Sequence, residues 1–424
     1  MPDEGLSIAP PAEPAGPARP ASRWPRTLRA LRHRNFRLFW SGQIASQIGT
    51  WMQIVAQGWL VYRLTDSPLM LGLVTVVGLL PVVPVSLLAG VLSDRFSRKK
   101  LIIVTEIVLM LQALILAYLT WAGIVQVWHV IVLSFVLGGA AALEQPARLA
   151  FVIETVGKED ISNAVALNSS VYNAARIVGP AAAGLLVAWM GEAGCFLING
   201  VSYLPVILAM LAIRLPSREG SVEKLKLMGS LASGFRYTWD TQAIRSLLLI
   251  VALSSFFTLP YITLMPVFAR DVLAVGPQGL GFLMTGVGAG AIGGALVVAN
   301  VESGRRGRWL MLGNLLGPAF LLLFCLSQSF ALSIVVVALL GASNAIRQTL
   351  ANSLIQLTTA EKYHGRVMSL FNLLFNGMSR TGALGVGAVA EVTGVPLALG
   401  ASAVISLVLG VAMLRGMPEV VHLA

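Results

Sequence analysis

Past residue 35 the chain reads as long apolar blocks separated by short polar stretches. The blocks fall at about 38–62, 69–93, 101–121, 126–147, 163–189 and 194–213. After a polar interval at 214–243 they resume at 245–269, 279–299, 309–327, 330–356, 367–390 and 396–414. At ~1.5 Å per residue a helical block of this length crosses the ~30 Å hydrocarbon layer of a bilayer. In lipid the backbone polar groups must bond within the segment or in a closed barrel. The alternation expected of barrel strands is missing from runs this long. The pattern predicts an all-α membrane protein with twelve transmembrane helices.

The second half repeats the first. Gln145, Asn173, Gly179, Gly184 and Gly191 are matched by Gln348, Asn376, Gly382, Gly387 and Gly394, each 203 residues later. With six helices in each half, both copies start in the same orientation. That is a parallel repeat about an axis normal to the membrane, as in two-bundle secondary transporters. The expected units are a six-helix bundle at 36–213, a linker at 214–243 and a second bundle at 244–415, with tails at 1–35 and 416–424. Seven of the 20 prolines lie between Pro2 and Pro25 without an apolar run, so the first tail is expected to be disordered.

Composition agrees with the pattern. Charged residues make up 12% and apolar residues 56% of the chain, where a soluble domain carries ~25% charged residues, so a soluble enzyme is excluded. The net charge of +11 sorts by topology. With the N-terminus inside, inner segments carry Arg26, Arg29, Arg32, Arg34, Arg37, Arg98, Lys99, Lys100, Arg305, Arg306, Arg308, Lys362 and Arg366, whereas outer connections carry only Arg63 and Arg270. Both termini are therefore expected in the cytoplasm, and the basic residues point to the lipid surface rather than to nucleic acid. Cys195 and Cys325 lie in apolar runs, and the four histidines are too scattered for a metal site. No phosphate-binding Gly-Lys-Ser/Thr run is present, and Gly286, Gly288 and Gly290 fall in a membrane helix, so no cofactor and no catalysis are expected.

Two motifs carry a more specific signal. Gly90 to Lys100 is a short inner loop with Asp94, Arg95 and Arg98, able to hold two helix ends in register; the alternative is a plain basic anchor. In the fifth block, Asn173, Arg176, Gly179 and Pro180 precede Gly184, which allows a bend and a close helix contact. The first motif resembles the helix 2–3 signature of the major facilitator superfamily, except that Ser97 stands where glycine is usual. The second partly resembles the helix 5 signature of its antiporters. With Phe36–Trp40, Gln43, Gly49–Trp51 and Gln145–Arg148, the chain over 30–415 resembles bacterial exporters of the enterobactin-exporter type, also described as transmembrane secretion effectors or drug and macrolide efflux proteins. The resemblance implies a monomeric proton antiporter of the bacterial cytoplasmic membrane. It also implies gating by Asp94, Arg95, Arg98, Gly179 and Pro180.

Polar residues inside membrane helices mark partners or a wet pathway. Gln43, Gln47, Thr50 and Gln57 form a stripe in the first block. Asn173 and Arg176, Asn344 and Arg347, and Asn372 and Asn376 recur at helical spacing in the fifth, tenth and eleventh. These are the expected substrate-binding residues, with interhelical hydrogen bonding as the alternative for some of them. An arginine in the cavity favours a siderophore-like cargo over a lipophilic cation. Glu144 and Glu106 are the expected proton-coupling groups; Glu391 is a weaker one, and Arg148 or Arg176 is a possible partner for Glu144. The resulting expectation is a secondary transporter that exports a small amphipathic molecule against proton entry. A substrate-driven facilitator or importer, or a lipid-handling protein, is the alternative.

Overall fold

A computed structural model of the chain describes residues 26–82, 84, 85, 97–213, 235–421 and 423. Asp94 and Arg95, the tail before residue 26 and the linker segment 214–234 lie outside the described residues. The first half contains α1 (Arg34–Thr65), α2 (Pro68–Val77), α3 (Arg98–Trp121), α4 (Val127–Thr155), α5 (Ile161–Ser202) and α6 (Leu204–Ala212). The second contains α7 (Gln242–Thr258), α8 (Pro260–Val267), α9 (Gly276–Ala299), α10 (Arg306–Leu326), α11 (Phe330–Thr358), α12 (His364–Thr393), α13 (Val395–Gly416) and α14 (Pro418–Val421). A π-turn, Phe268–Val272, continues α8.

Among the described residues, eight helical stretches are long and apolar enough to cross a membrane. The helices α1 and α12, 32 and 30 residues long, are equally long but carry polar faces. Local chemistry sets the helix starts: Ser67 accepts from the Met70 amide at the head of α2, and Ser97 from the Lys100 amide at the head of α3.

The long stretch containing α5 reverses direction at Gly191, where φ is 72° and ψ 179°, a backbone region in effect reserved for glycine. Gly179 packs on Trp51 and Met52, and Asn199 packs on Gly49 and bonds to Gln53. Twenty helical residues would otherwise separate those two points by ~30 Å. The same device recurs at Gly394, with φ 84°.

The repeat is visible in the backbone. α4 and α11 are both 29 residues long, and each bound of one lies 203 residues from that of the other. Single 3₁₀ turns, Lys158–Asp160 and Glu361–Tyr363, follow at the same shift, as do the starts of α5 and α12.

The apolar core divides unevenly along the helices. Toward the Arg34 end of α1 each half has its own cluster, one holding Phe36, Phe39 and Phe151, the other Ile250, Leu354 and Phe371. Toward the Tyr62 end a single cluster spans both halves, with Leu60, Leu71 and Val187 against Tyr261, Phe268 and Leu283. Two seams run down from that end. α5 meets α9, where a Cβ on Gly184 would stand 2.9 Å from the Cα of Gly281. α2 meets α12, where a Cβ on Gly72 would stand 2.6 Å from the Cα of Leu384. Because α12 is the repeat partner of α5, the two seams are equivalent.

Candidate functional site

The first half encloses a polar network. Gln43 Nε2 donates to Glu106 Oε1 at 3.2 Å, and Gln47 donates to Gln43 at 3.3 Å. One helical turn apart on α4, Arg148 donates to Glu144. Glu106, fully buried, has Glu144 and Arg148 as its charged neighbours, and its Oε2 has no hydrogen-bond partner. Further along, Asn199 donates to Gln53 at 2.6 Å, Gln53 to Gln112 at 3.0 Å, and Gln57 to Ser134 at 2.9 Å. Thr50 lies 3.3 Å from the Tyr203 hydroxyl. Gln43 and Gln57 thus have partners inside the first bundle. Sequence reasoning missed Gln53, Gln112, Asn199 and Tyr203, each of which gains meaning only from a partner on another helix.

A second set of polar residues lies on α5, α11 and α12. Asn173, Asn372 and Asn376 are exposed although they sit well inside long helices, and the two asparagines Asn173 and Asn376 are repeat partners. Asn173 and Asn376 each return an amide hydrogen to the carbonyl one turn earlier. Arg176 is half-buried, with its guanidinium 5.9 Å from the Trp51 ring, which meets Tyr172 edge-on. On the other side Arg347 is 3% exposed and donates to Asn344 Oδ1 at 3.0 Å. Exposed amides at this depth belong beside water, because facing lipid they would lack partners.

The residues expected to gate lie apart. Arg98 pairs with Glu154 at the Arg34 end of the first bundle. Gly179 and Pro180 are buried at the junction of α5 with α1 and α9, where a Cβ on Gly179 would meet Trp51 Cβ at 2.5 Å. At the Tyr62 end the halves are clasped by polar contacts. The Tyr62 hydroxyl donates to Asp271. Arg270 pairs with Asp66 at 2.6 Å and lies 5.0 Å from the Tyr62 ring centre. Glu391 of α12 accepts from the Ser67 hydroxyl at 2.8 Å and the Leu69 amide at 3.2 Å, capping α2 from the opposite half.

Two equivalent halves that share one apolar cluster at one end and, among the described residues, have separate clusters at the other fit the framework of an alternating-access transporter. Comparisons with known proteins agree. Residues 26–421 match the transmembrane secretion effector family, and the chain belongs to it. It is similar to the staphyloferrin A transporter of Staphylococcus aureus, 24% identical over 85% of this chain and 90% of the relative. It is also similar to the multidrug efflux pump Tap of Mycolicibacterium fortuitum, 26% identical over 86% and 91%. Macrolide efflux protein A of Streptococcus pyogenes is 23% identical over 79% and 84%. Among solved structures, a bacterial Spinster homologue in an inward-facing, unoccupied conformation superposes with a TM-score of 0.68 at 14% identity, over 92% and 97% of the chains. The nucleoside transporter NupG gives 0.69 at 13% identity, over 90% and 98%. The chain is a multi-pass membrane transporter of small molecules with the major facilitator fold, and it is not an enzyme.

Proposed function

We propose that this transporter exports a small amphipathic molecule across a bacterial cytoplasmic membrane, as a monomer, in exchange for protons. The basic residues at the Arg34 end support a cytoplasmic placement of that end. On that placement the clasp at Tyr62 closes the outer face, and the space between the halves opens to the cytoplasm. Substrate then enters from inside, between Asn173 and Arg176 on one side and Asn372 and Asn376 on the other. Asp94, Arg95 and Arg98 serve the inner gate, while Gly179 and Pro180 form the close contact of α5 with α1 and α9 on which the halves rock.

The observation that carries the proton reading is the buried group of Glu106, Glu144 and Arg148. Two carboxylates share one arginine, and Glu106 Oε2 lacks a donor. A proton held between the two carboxyls supplies the missing partner. Its loss frees Glu144 and Arg148 to move, which would link protonation to the position of α4 against α1 and α3. Relatives named for siderophore, drug and macrolide transport support an organic cargo.

The test is uptake into inside-out vesicles of a siderophore, a macrolide and a dye, with and without an uncoupler. Uptake that collapses with the uncoupler is expected. Uptake that survives would leave a facilitator.

A further inference from the structure

Three arginines deep in the helices have no carboxylate partner among the described residues. They are Arg176 on α5, Arg347 on α11 and Arg380 on α12. By contrast, Arg63 pairs with Glu192, Arg98 with Glu154, Arg148 with Glu144 and Arg270 with Asp66. An arginine at the bilayer centre is costly unless something answers it. For these three the described residues supply nothing acidic.

Arg347 is the most enclosed of them, and it reaches one side-chain acceptor, Asn344 Oδ1. Its Nη1 has no partner, and neither does Asn344 Nδ2 nor the Tyr261 hydroxyl. Tyr261 is fully buried, Arg347 is 3% exposed and Asn344 is 9% exposed. Asn344 lies beside the Tyr261 hydroxyl, and the charged groups acting on that hydroxyl are Arg176 and Arg347, one from each half. Donors from α8 and α11 therefore converge with a cation from the opposite bundle. A buried donor left without an acceptor is costly. One planar oxyanion would satisfy several of them at once, because a guanidinium can offer two parallel N–H groups to a carboxylate.

We propose that this transporter binds its cargo by an organic carboxylate held by Tyr261, Asn344 and Arg347, with Arg176 completing the charge from the other half. The edge-on pair Trp51 and Tyr172 beside Arg176 offers the apolar part of such a cargo an aromatic wall. Bound there, the anion cancels the repulsion between Arg176 of one half and Arg347 of the other. The inference rests on the transport reading only in taking the bound anion as cargo.

The experiment uses a matched pair of dyes with the purified full chain in detergent, followed by fluorescence polarisation. Fluorescein carries a carboxylate on a fused-ring body; rhodamine 6G is a cation on a similar body with that carboxylate esterified. Saturable fluorescein binding is expected, weakened at least tenfold in Arg347→Gln and several-fold in Tyr261→Phe, which loses only a hydroxyl and keeps the packing. Rhodamine 6G should bind more weakly and ignore both changes. Equal binding of the two dyes, or fluorescein binding indifferent to Arg347→Gln and Tyr261→Phe, would overturn the proposal. Displacement by sulfate at low millimolar concentration would assign the site to a free inorganic oxyanion and overturn its role for cargo. Vesicle uptake separates this from the export reading. Fluorescein bound but never moved removes export and leaves the site, whereas rhodamine moved with fluorescein unbound removes the site and leaves export.

Discussion

The Tyr62 hydroxyl, in the last turn of α1, donates to the carboxylate of Asp271 in the π-turn after α8, joining the two halves at one end. Arg270 reinforces the contact from the same turn by pairing with Asp66. With Glu391 capping α2, the clasp uses three carboxylates, all at the end where the apolar core is continuous between halves.

Weakening the clasp should shift the resting population toward the conformation open at the Tyr62 end. Gly58 faces Pro266 across the halves, with room for a side chain at ordinary contact distance. In a Gly58→Cys background, Asp271→Asn and Glu391→Gln should each raise labelling by an impermeant maleimide several-fold. Unchanged labelling in both would remove the clasp from the gating account.

The glycine seam sets how tightly α5 can lie on α9. Gly184→Leu places a side chain where the Gly281 backbone stands 2.9 Å from a Cβ. Transport should fall at least tenfold, with the Gly58→Cys probe labelled faster, while the purified protein stays monodisperse. Normal transport would show that the seam can open without consequence.

The segment Arg26–Arg32 is strapped to the α4–α5 turn through Asp160, which is 1% exposed. Burial alone would push its carboxyl up. The hydrogen bond to His33 and the charges of Arg29 and Arg32, at 2.8–2.9 Å, outweigh burial and hold it below the usual range. A carboxyl depressed by folding adds stability above its unfolded value, ~3.9, and loses that contribution as pH falls through the folded value. Asp160→Asn should therefore lower the thermal midpoint by roughly 2–4 °C at pH 7. The gap between the two proteins should narrow as pH is taken below 4, measured by tryptophan fluorescence on heating.

Gly191→Ala tests the reversal within α5. Nothing lies within 4 Å of an added Cβ, so the expected loss of ~1–3 kcal/mol comes from backbone strain alone. Guanidinium or heat unfolding in detergent would read it.

Much of this architecture was legible in the sequence. Helix covers most of the described part of each apolar block, and the 203-residue shift that linked Gly191 to Gly394 also relates the bounds of α4 and α11. Repeats and hydropathy are properties of one segment, so one chain suffices to read them. Partnerships between helices are not. Glu391 was a weak proton candidate in sequence and is a helix cap from the opposite bundle in the fold. Tyr261 stands in an apolar run and carries no signal of its own there, because its meaning depends on Arg347, which is 86 residues away. Gln53 was passed over for its neighbours Thr50 and Gln57, yet it bonds to both Gln112 and Asn199.

The most direct test of proton-driven export is uptake by proteoliposomes under an imposed pH gradient, comparing the natural chain with Glu106→Gln, using a substrate found in vesicle assays. The account predicts that the gradient accelerates uptake at least tenfold in the natural chain and has no effect in Glu106→Gln, which still exchanges labelled for unlabelled substrate. A Glu106→Gln protein that responds to the gradient as the natural chain does would contradict it.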